Sequence, residues 1–328
     1  MYSVYGIGNP LLDFVTHQKE EFVQRLQTRP GTMNLVSAEE MAEILSRVQQ
    51  YCNIPGGSCA NTIRGLAWLG GDALPPPVYS GAVGDDERGL CYRRIMEATG
   101  IVQRLAVKES ATGCSLIVVT PDRERTMFTH LGACRELGPA DIDYRLLKQC
   151  QILYFTGFMW DSECQKQAAL EAADFAIKHE IPIAFDLADP FVVERYGREF
   201  KSWIPGRVKI LFGNEEEVKL LLQNEAVEGD LSAAAGELAE TVLIKTGAGG
   251  CLLVEGSSVQ HVPTAAVAAV DTTAAGDCFA AGFLLSRLRG LSSLKSAEQA
   301  NRLASAIVTV DGCDFTLIER GDVSWEGE

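Results

Sequence analysis

Six short runs of continuous hydrophobicity punctuate the chain: SVYGIG (3–8), PVYSGAV (77–83), ILYFTGF (152–158), IPIAFDL (181–187), VKILFG (208–213) and TVLIKTG (241–247). Runs that are apolar at consecutive positions, rather than at alternate ones, predict strands covered on both faces. Between them, segments 38–50, 60–69, 162–179 and 215–223 carry apolar residues at helical spacing. Such alternation predicts a mostly parallel sheet between helical layers. Two stretches break the pattern. Residues 14–36 are polar and leave the first strand. Within 101–130 the runs QRLAV, GCSLIVV and RTMFTHL read as successive antiparallel strands, with turns at Glu109–Ala111 and Pro121–Arg123. The expectation is one α/β unit over 1–328 with a small β-rich appendage from about 14–36 and 101–130. Pro75–Pro77 marks a stiff connection.

Composition narrows the function classes. Hydrophobic residues make up 47% and charged residues 22%, as in an ordinary globular enzyme, and no apolar run reaches the roughly 18–20 residues that span a bilayer. The net charge of −15 disfavours a nucleic-acid partner, because phosphate backbones need clustered Lys and Arg. The opening MYSVYGIGNP lacks a basic and apolar leader and reads as a first strand, which predicts a cytoplasmic protein without a membrane partner. Ten cysteines without CxxC spacing predict reduced, mostly buried thiols.

The run Asp271-Thr-Thr-Ala-Ala-Gly-Asp277 carries the most chemistry. It reads as a polar turn feeding a helix, with Thr272 or Thr273 as N-cap and a stop at Gly290. The small residues Ala274, Ala275 and Gly276 leave backbone N–H groups open to an anion, and Asp277 in the first turn can accept a proton from a hydroxyl. The same pattern also fits an ordinary acid-capped helix. Asn214-Glu-Glu-Glu217 fits a capping box, and Lys245-Thr-Gly-Ala-Gly-Gly250 fits a glycine-rich hairpin between TVLIK and CLLVE without the Walker A spacing. Gly56-Gly57-Ser58 opens a helix that carries Asn61, and Asn9-Pro10 with Asp13 ends the first strand, either as a turn or as a grip on ribose hydroxyls.

Taken in order, Gly6–Asp13, Gly56–Asn61, Gly81–Gly89, Phe212–Glu217, Lys245–Gly250 and Asp271–Asp277 resemble the motifs of the ribokinase (PfkB) family of ATP-dependent sugar and nucleoside kinases over essentially the whole chain. GNPLLD, the GGS..N spacing, Pro190-Phe191 and ILFGNEEE look most like the adenosine kinase subgroup. The resemblance implies a three-layer ribokinase-like fold whose small β-rich part is a lid. It also implies ATP and Mg²⁺ dependence, leaving open a monovalent cation, and either a monomer or a homodimer. Asp277 would be the general base, with the Ala275, Gly276 and Asp277 amides and Arg125 neutralising charge, although Arg125 also fits a plain surface cation. Asn9, Asp13, Gly57, Ser58, Asn61 and Phe158 would bind the acceptor, with Phe191 beside the base. Asn214, Thr246, Gly247, Gly250 and Asn301 would border the nucleotide, and Glu217 would reach Mg²⁺ through water. The family usually has Gly where this chain has Ala274, which implies a working anion hole with tighter sterics, strained if φ is positive. The implied reaction is phosphorylation of a primary hydroxyl, the 5′-OH of adenosine or a similar ribonucleoside. The rivals are a sugar kinase acting on ribose or fructose and a non-catalytic nucleoside- or sugar-binding regulator.

Overall fold

The computed structural model describes all residues except 27, 29, 32, 123–124, 223–233 and 324–328. Its strands are β1 (Tyr2–Ile7), β2 (Leu11–His17), β3 (Met33–Leu35), β4 (Cys52–Gly56), β5 (Val78–Gly84), β6 (Val102–Lys108) and β7 (Thr112–Val119), then β8 (Arg125–Gly132), β9 (Cys150–Thr156), β10 (Ile183–Asp186), β11 (Val208–Asn214), β12 (Thr241–Lys245), β13 (Cys251–Glu255) and β14 (Ser258–Val262). All six apolar runs became strands of one nine-stranded sheet, in the order β14-β13-β12-β11-β10-β9-β1-β5-β6. It is parallel from β12 to β6, and β13 and β14 return antiparallel through the glycine-rich hairpin.

Burial on both faces explains the uninterrupted hydrophobicity. On β9, Ile152 and Tyr154 enter a core shared with the helices Ser58–Gly70, Ala275–Leu288 and Ser293–Ile307. Leu153 and Phe155 point the other way, toward the helices Glu163–Lys178, Pro190–Trp203 and Glu215–Leu221. Each fully buried side chain of this size contributes about 1.5–3 kcal/mol, so both helical layers are fastened to the sheet. The three-layer α/β expectation holds. No helix among the described residues is long and apolar enough to cross a membrane.

A second sheet of five strands, β3-β8-β7-β2-β4, stands beside the first. Here successive residues alternate between two faces. Leu12, Phe14, Leu116, Val118 and Phe128 join the core, whereas Leu11, Asp13, Ser115, Ile117, Met127 and Thr129 face a cleft between the sheets.

Two expectations are corrected. QRLAV is not an antiparallel strand of the appendage; it is β6, paired in parallel with β5 at the edge of the large sheet. Its mixed polarity reflects an edge position, not a change of sheet. Asp13 does not end the first strand either. The chain turns at Asn9-Pro10 and Asp13 lies inside β2, so the second sheet begins at Leu11, ahead of residue 14.

Candidate active site

The cleft has a volume of about 520 Å³ and is bounded by the strand ends of the large sheet and the inner face of the small one. Asn9, Asp13, Gly57, Ser58, Asn61, Arg125, Phe158, Asn214, Glu217, Gly247, Ala275, Gly276 and Asp277 all border it. Residues more than 200 positions apart therefore meet in one cavity.

At its floor the helix Ala275–Leu288 begins without a side-chain cap. Neither Thr272 nor Thr273 takes that role. The Asp271 carboxylate instead ties the turn, accepting from Thr273 N (2.8 Å), Thr273 Oγ1 (2.6 Å) and Gly312 N (2.9 Å). The first residue out of the turn is Ala274, at φ 60° and ψ 10°. The left-handed region costs an L-residue about 1–2 kcal/mol, so the strain condition is met. Ala274→Gly should raise stability by about 0.5–1 kcal/mol, the strain relieved less the larger chain entropy that glycine loses. Thermal melts of the two proteins read this directly, and an equal or lower Tm refutes the strain. The Ala275 amide donates to Thr272 O over a long 3.3 Å. The Gly276 and Asp277 amides have no backbone partner among the described residues, so the open hole is formed by two amides rather than three.

Asp277 is held from both sides. Oδ1 accepts from Ser58 Oγ (2.6 Å) and Oδ2 from Asn61 Nδ2 (3.0 Å). The Asn61 amide is fixed in turn, because its Oδ1 accepts from Arg64 Nη1 at 3.3 Å. Ser58 and Asn61, expected to grip the acceptor, are thus first of all partners of Asp277. Burial raises the Asp277 carboxyl to about 6, against the lowering effect of those two hydrogen bonds and of Lys245. Asp13, facing it across the cleft, is pushed up to about 7 by burial and by the charge of Asp277. Gly57 makes the turn from β4 into the helix Ser58–Gly70 possible: its φ is 95°, and a Cβ there would come within 2.0 Å of Asn9 O.

Two cleft residues were given no role in the sequence. Lys245, at the end of β12, bonds Asp186 Oδ1 and Oδ2 at 3.2 and 3.0 Å, with Asp186 at the end of β10. Its Nζ lies 3.1 Å from where a Gly276 Cβ would stand, so a buried ammonium sits beside the open helix start. The signal was present: a Lys and an Asp each close an otherwise apolar strand, at the end of the sheet where ligands bind.

Asn214 and Glu217 form the expected capping box. Glu217 N donates to Asn214 Oδ1 (2.8 Å), and Asn214 N and Nδ2 donate to the carboxylate (2.8 and 2.7 Å). Burial raises Glu217 to about 7, with Lys245 as the main opposing influence. Arg125 lies 4.0 Å from Asp271 Oδ1 and reaches the cleft, so it is not a plain surface cation.

The remaining candidates sit elsewhere. Phe191 lies outside the cleft and packs under Arg195, whose guanidinium is 4.4 Å from the ring; its neighbour Pro190 lines the cavity instead. Thr246 and Gly250 also stand back from it, and Gly250 (φ 92°) is needed because a Cβ would meet Val262 O at 2.2 Å. Asn301 borders a second cavity of about 610 Å³ beside the glycine-rich hairpin, where its Nδ2 holds Val262 O (2.9 Å) and Pro263 O (3.3 Å).

The pattern of similarity agrees with this geometry. The sequence pattern described as pfkB family carbohydrate kinase matches residues 31–320. The crystal structure of adenosine kinase from Sinorhizobium meliloti is 32% identical with a TM-score of 0.89, covering 95% of either chain. A probable sugar kinase protein from Rhizobium etli CFN 42 is 31% identical with the same score, covering 95% of this chain and 94% of its own. In sequence, adenosine kinase of Dictyostelium discoideum is 27% identical over 332 residues, which are 95% of this chain and 96% of that protein. The likeness spans both sheets, the glycine-rich hairpin and the acid-bearing helix start, and the chain belongs to the pfkB family of carbohydrate kinases.

Proposed function

We propose that this protein is an ATP-dependent kinase that phosphorylates the 5′-hydroxyl of adenosine or a closely similar ribonucleoside, with Asp277 as general base. The observation that carries the reading is the placement of Asp277. A carboxylate raised to about 6 stands in the first turn of an open helix start, with a buried ammonium beside it. A base with this pKa is ionised near neutral pH yet still basic enough to take a hydroxyl proton. Its proton acceptor faces the cleft, and the Gly276 and Asp277 amides, Lys245 and Arg125 supply positive potential where charge develops on the transferred group. The acceptor oxygen bonds to the γ-phosphorus as its proton passes to Asp277, and the bond from that phosphorus to ADP breaks with its electron pair leaving on ADP.

The residues suit the nucleotide and its metal. Among the described residues no group of three or more His, Cys, Asp or Glu forms a metal cage, and both Glu217 oxygens already accept from Asn214. That fits Mg²⁺ carried by phosphate oxygens and water, with Glu217 and Asn214 in its outer shell. Bound there, Mg²⁺ supplies charge neutralisation to the phosphates. The Gly247 end of the hairpin and the cavity beside Asn301 are suited to the rest of the nucleotide. At the other end, Asp13 is placed to accept from ribose hydroxyls, and Phe158 to cover a base. The small sheet, whose inner face lines the cleft, acts as the lid that keeps water from the phosphoryl group.

The likeness to a probable sugar kinase keeps ribose and fructose as rival acceptors. ADP release measured over a panel of nucleosides and sugars separates them. Adenosine should be used with kcat/KM well above that of any free sugar, and Phe158→Ala should cost adenosine about 1–3 kcal/mol, the usual value of a base on an aromatic platform, with little effect on a sugar. A ketose or ribose that beats every nucleoside would overturn the adenosine reading and leave the kinase chemistry standing.

A further inference from the structure

We propose that Gln165 is a specificity-determining positioning residue that fixes the Asn9 amide as a hydrogen-bond donor toward the acceptor substrate. The inference rests on the nucleoside reading of the cleft given above. Gln165 lies in the first turn of the helix Glu163–Lys178, where Ser162 Oγ accepts from its backbone N at 3.3 Å. The face this helix buries is otherwise alanine: Ala168, Ala169, Ala172, Ala173 and Ala176. A fully buried glutamine in such a face is out of place on packing grounds, and it is not fully satisfied. Its Nε2 donates to Asn9 Oδ1, but its Oε1 is buried without a partner. Stranding that oxygen costs about 1–3 kcal/mol, which an apolar residue of similar size would avoid. Stability therefore gives no reason for the glutamine.

The function lies in what the bond does to Asn9, a cleft residue only 7% exposed. Turning the pair of amides over would let Asn9 Nδ2 donate to Gln165 Oε1, but it would leave both Gln165 N–H donors unpaired, where the observed orientation leaves one N–H and one oxygen, and an orphaned buried N–H is rarer than an under-satisfied carbonyl. The observed orientation is the cheaper one. With Oδ1 taken by Gln165, Asn9 presents Nδ2 to the cleft, where it has no partner among the described residues. The group that meets it must be an acceptor, a hydroxyl oxygen or an unprotonated ring nitrogen. An asparagine free to rotate would tolerate donor and acceptor equally.

The test is a double-mutant cycle between Gln165→Met and Asn9→Ala, read by calorimetric binding of adenosine without nucleotide, with Tm measured alongside. Gln165→Met should weaken adenosine binding about five- to tenfold and leave KM for ATP unchanged, with Tm equal to or above that of wild type. In the Asn9→Ala background the same change should have no further effect. Gln165→Leu is the second variant if methionine fails to fold, with the same expected outcome. Unchanged adenosine affinity in the Gln165 variants, or losses that simply add to that of Asn9→Ala, would overturn the proposal. A wild-type protein that binds ribose and not adenosine overturns only the nucleoside reading, and the same cycle then runs on ribose.

Discussion

Asp277→Asn lowers kcat by roughly 10²–10⁴-fold and leaves nucleotide affinity nearly unchanged, because a general base acts in the transition state and not in nucleotide binding. The amide keeps the volume of the carboxylate, and Ser58 Oγ, now its donor at 2.6 Å, can rotate to accept, so the floor of the cleft stays intact. Stability should move the opposite way from activity. The folded-state pKa of Asp277 is raised from 3.8 to about 6. Its neutral form therefore stabilises the fold below the ordinary carboxylate range, and that contribution is lost as pH rises through about 6. The amide stays neutral, so the variant should melt above wild type at pH 8 and near it at pH 4. A variant that retains near wild-type kcat removes Asp277 from the role of base.

In the wild type the same ionisation sets the acid side of the pH profile. kcat/KM should fall as pH drops below about 7 and more steeply below about 6, since Asp13 and Asp277 both work as carboxylates and titrate as an interacting pair. The Asp277→Asn variant should lose the lower limb, and its Asp13 should titrate at lower pH once the facing charge is gone.

Lys245→Met destabilises the protein by about 3–5 kcal/mol, the cost of leaving a buried carboxylate without its cation. Asp186 is 2% exposed and is bonded by Lys245 through both oxygens; Glu217, also 2% exposed, is lowered chiefly by the same ammonium. The loss should depend on pH with a definite sign. The Glu217 pKa is already raised to about 7, and without Lys245 it rises further. Its contribution is therefore present in acid and lost as pH rises through and beyond 7. Melting curves at pH 5.5 and 8.5 should show the variant closer to wild type in acid by the Glu217 contribution. KM for ATP should also rise on the order of tenfold or more, as for loss of a charge-assisted hydrogen bond. Equal destabilisation at both pH values would dissociate Lys245 from Glu217.

Much of the fold could be read from hydrophobic periodicity alone. Continuous apolar runs meant strands buried on both faces, and all six became strands of the large sheet. QRLAV misled because an edge strand of the large sheet mixes polar and apolar residues much as a strand of the small one does, and the pairing that tells them apart is made with β5, more than twenty residues earlier in the chain. The site was legible where chemistry is local. The capping box of Asn214 with Glu217 and the glycine-rich hairpin each follow from residues a few positions apart.

The sequence by itself determined which short segments carry reactive or conformationally special residues, because capping, turn formation and strand burial depend on nearest neighbours in the chain. Only the tertiary structure decided how those residues are divided among tasks. Ser58 and Asn61 came to hold Asp277 because a helix more than 200 residues away brings its first acid within 3.0 Å of them. Lys245 and Asp186 became a buried pair because β10 and β12 flank β11 with their ends in line. Ala274 was forced to φ 60° by a turn that Asp271 ties to a loop at Gly312. Charge pairing, desolvation and strain arise from groups that meet only when the chain is folded, and no local pattern records them.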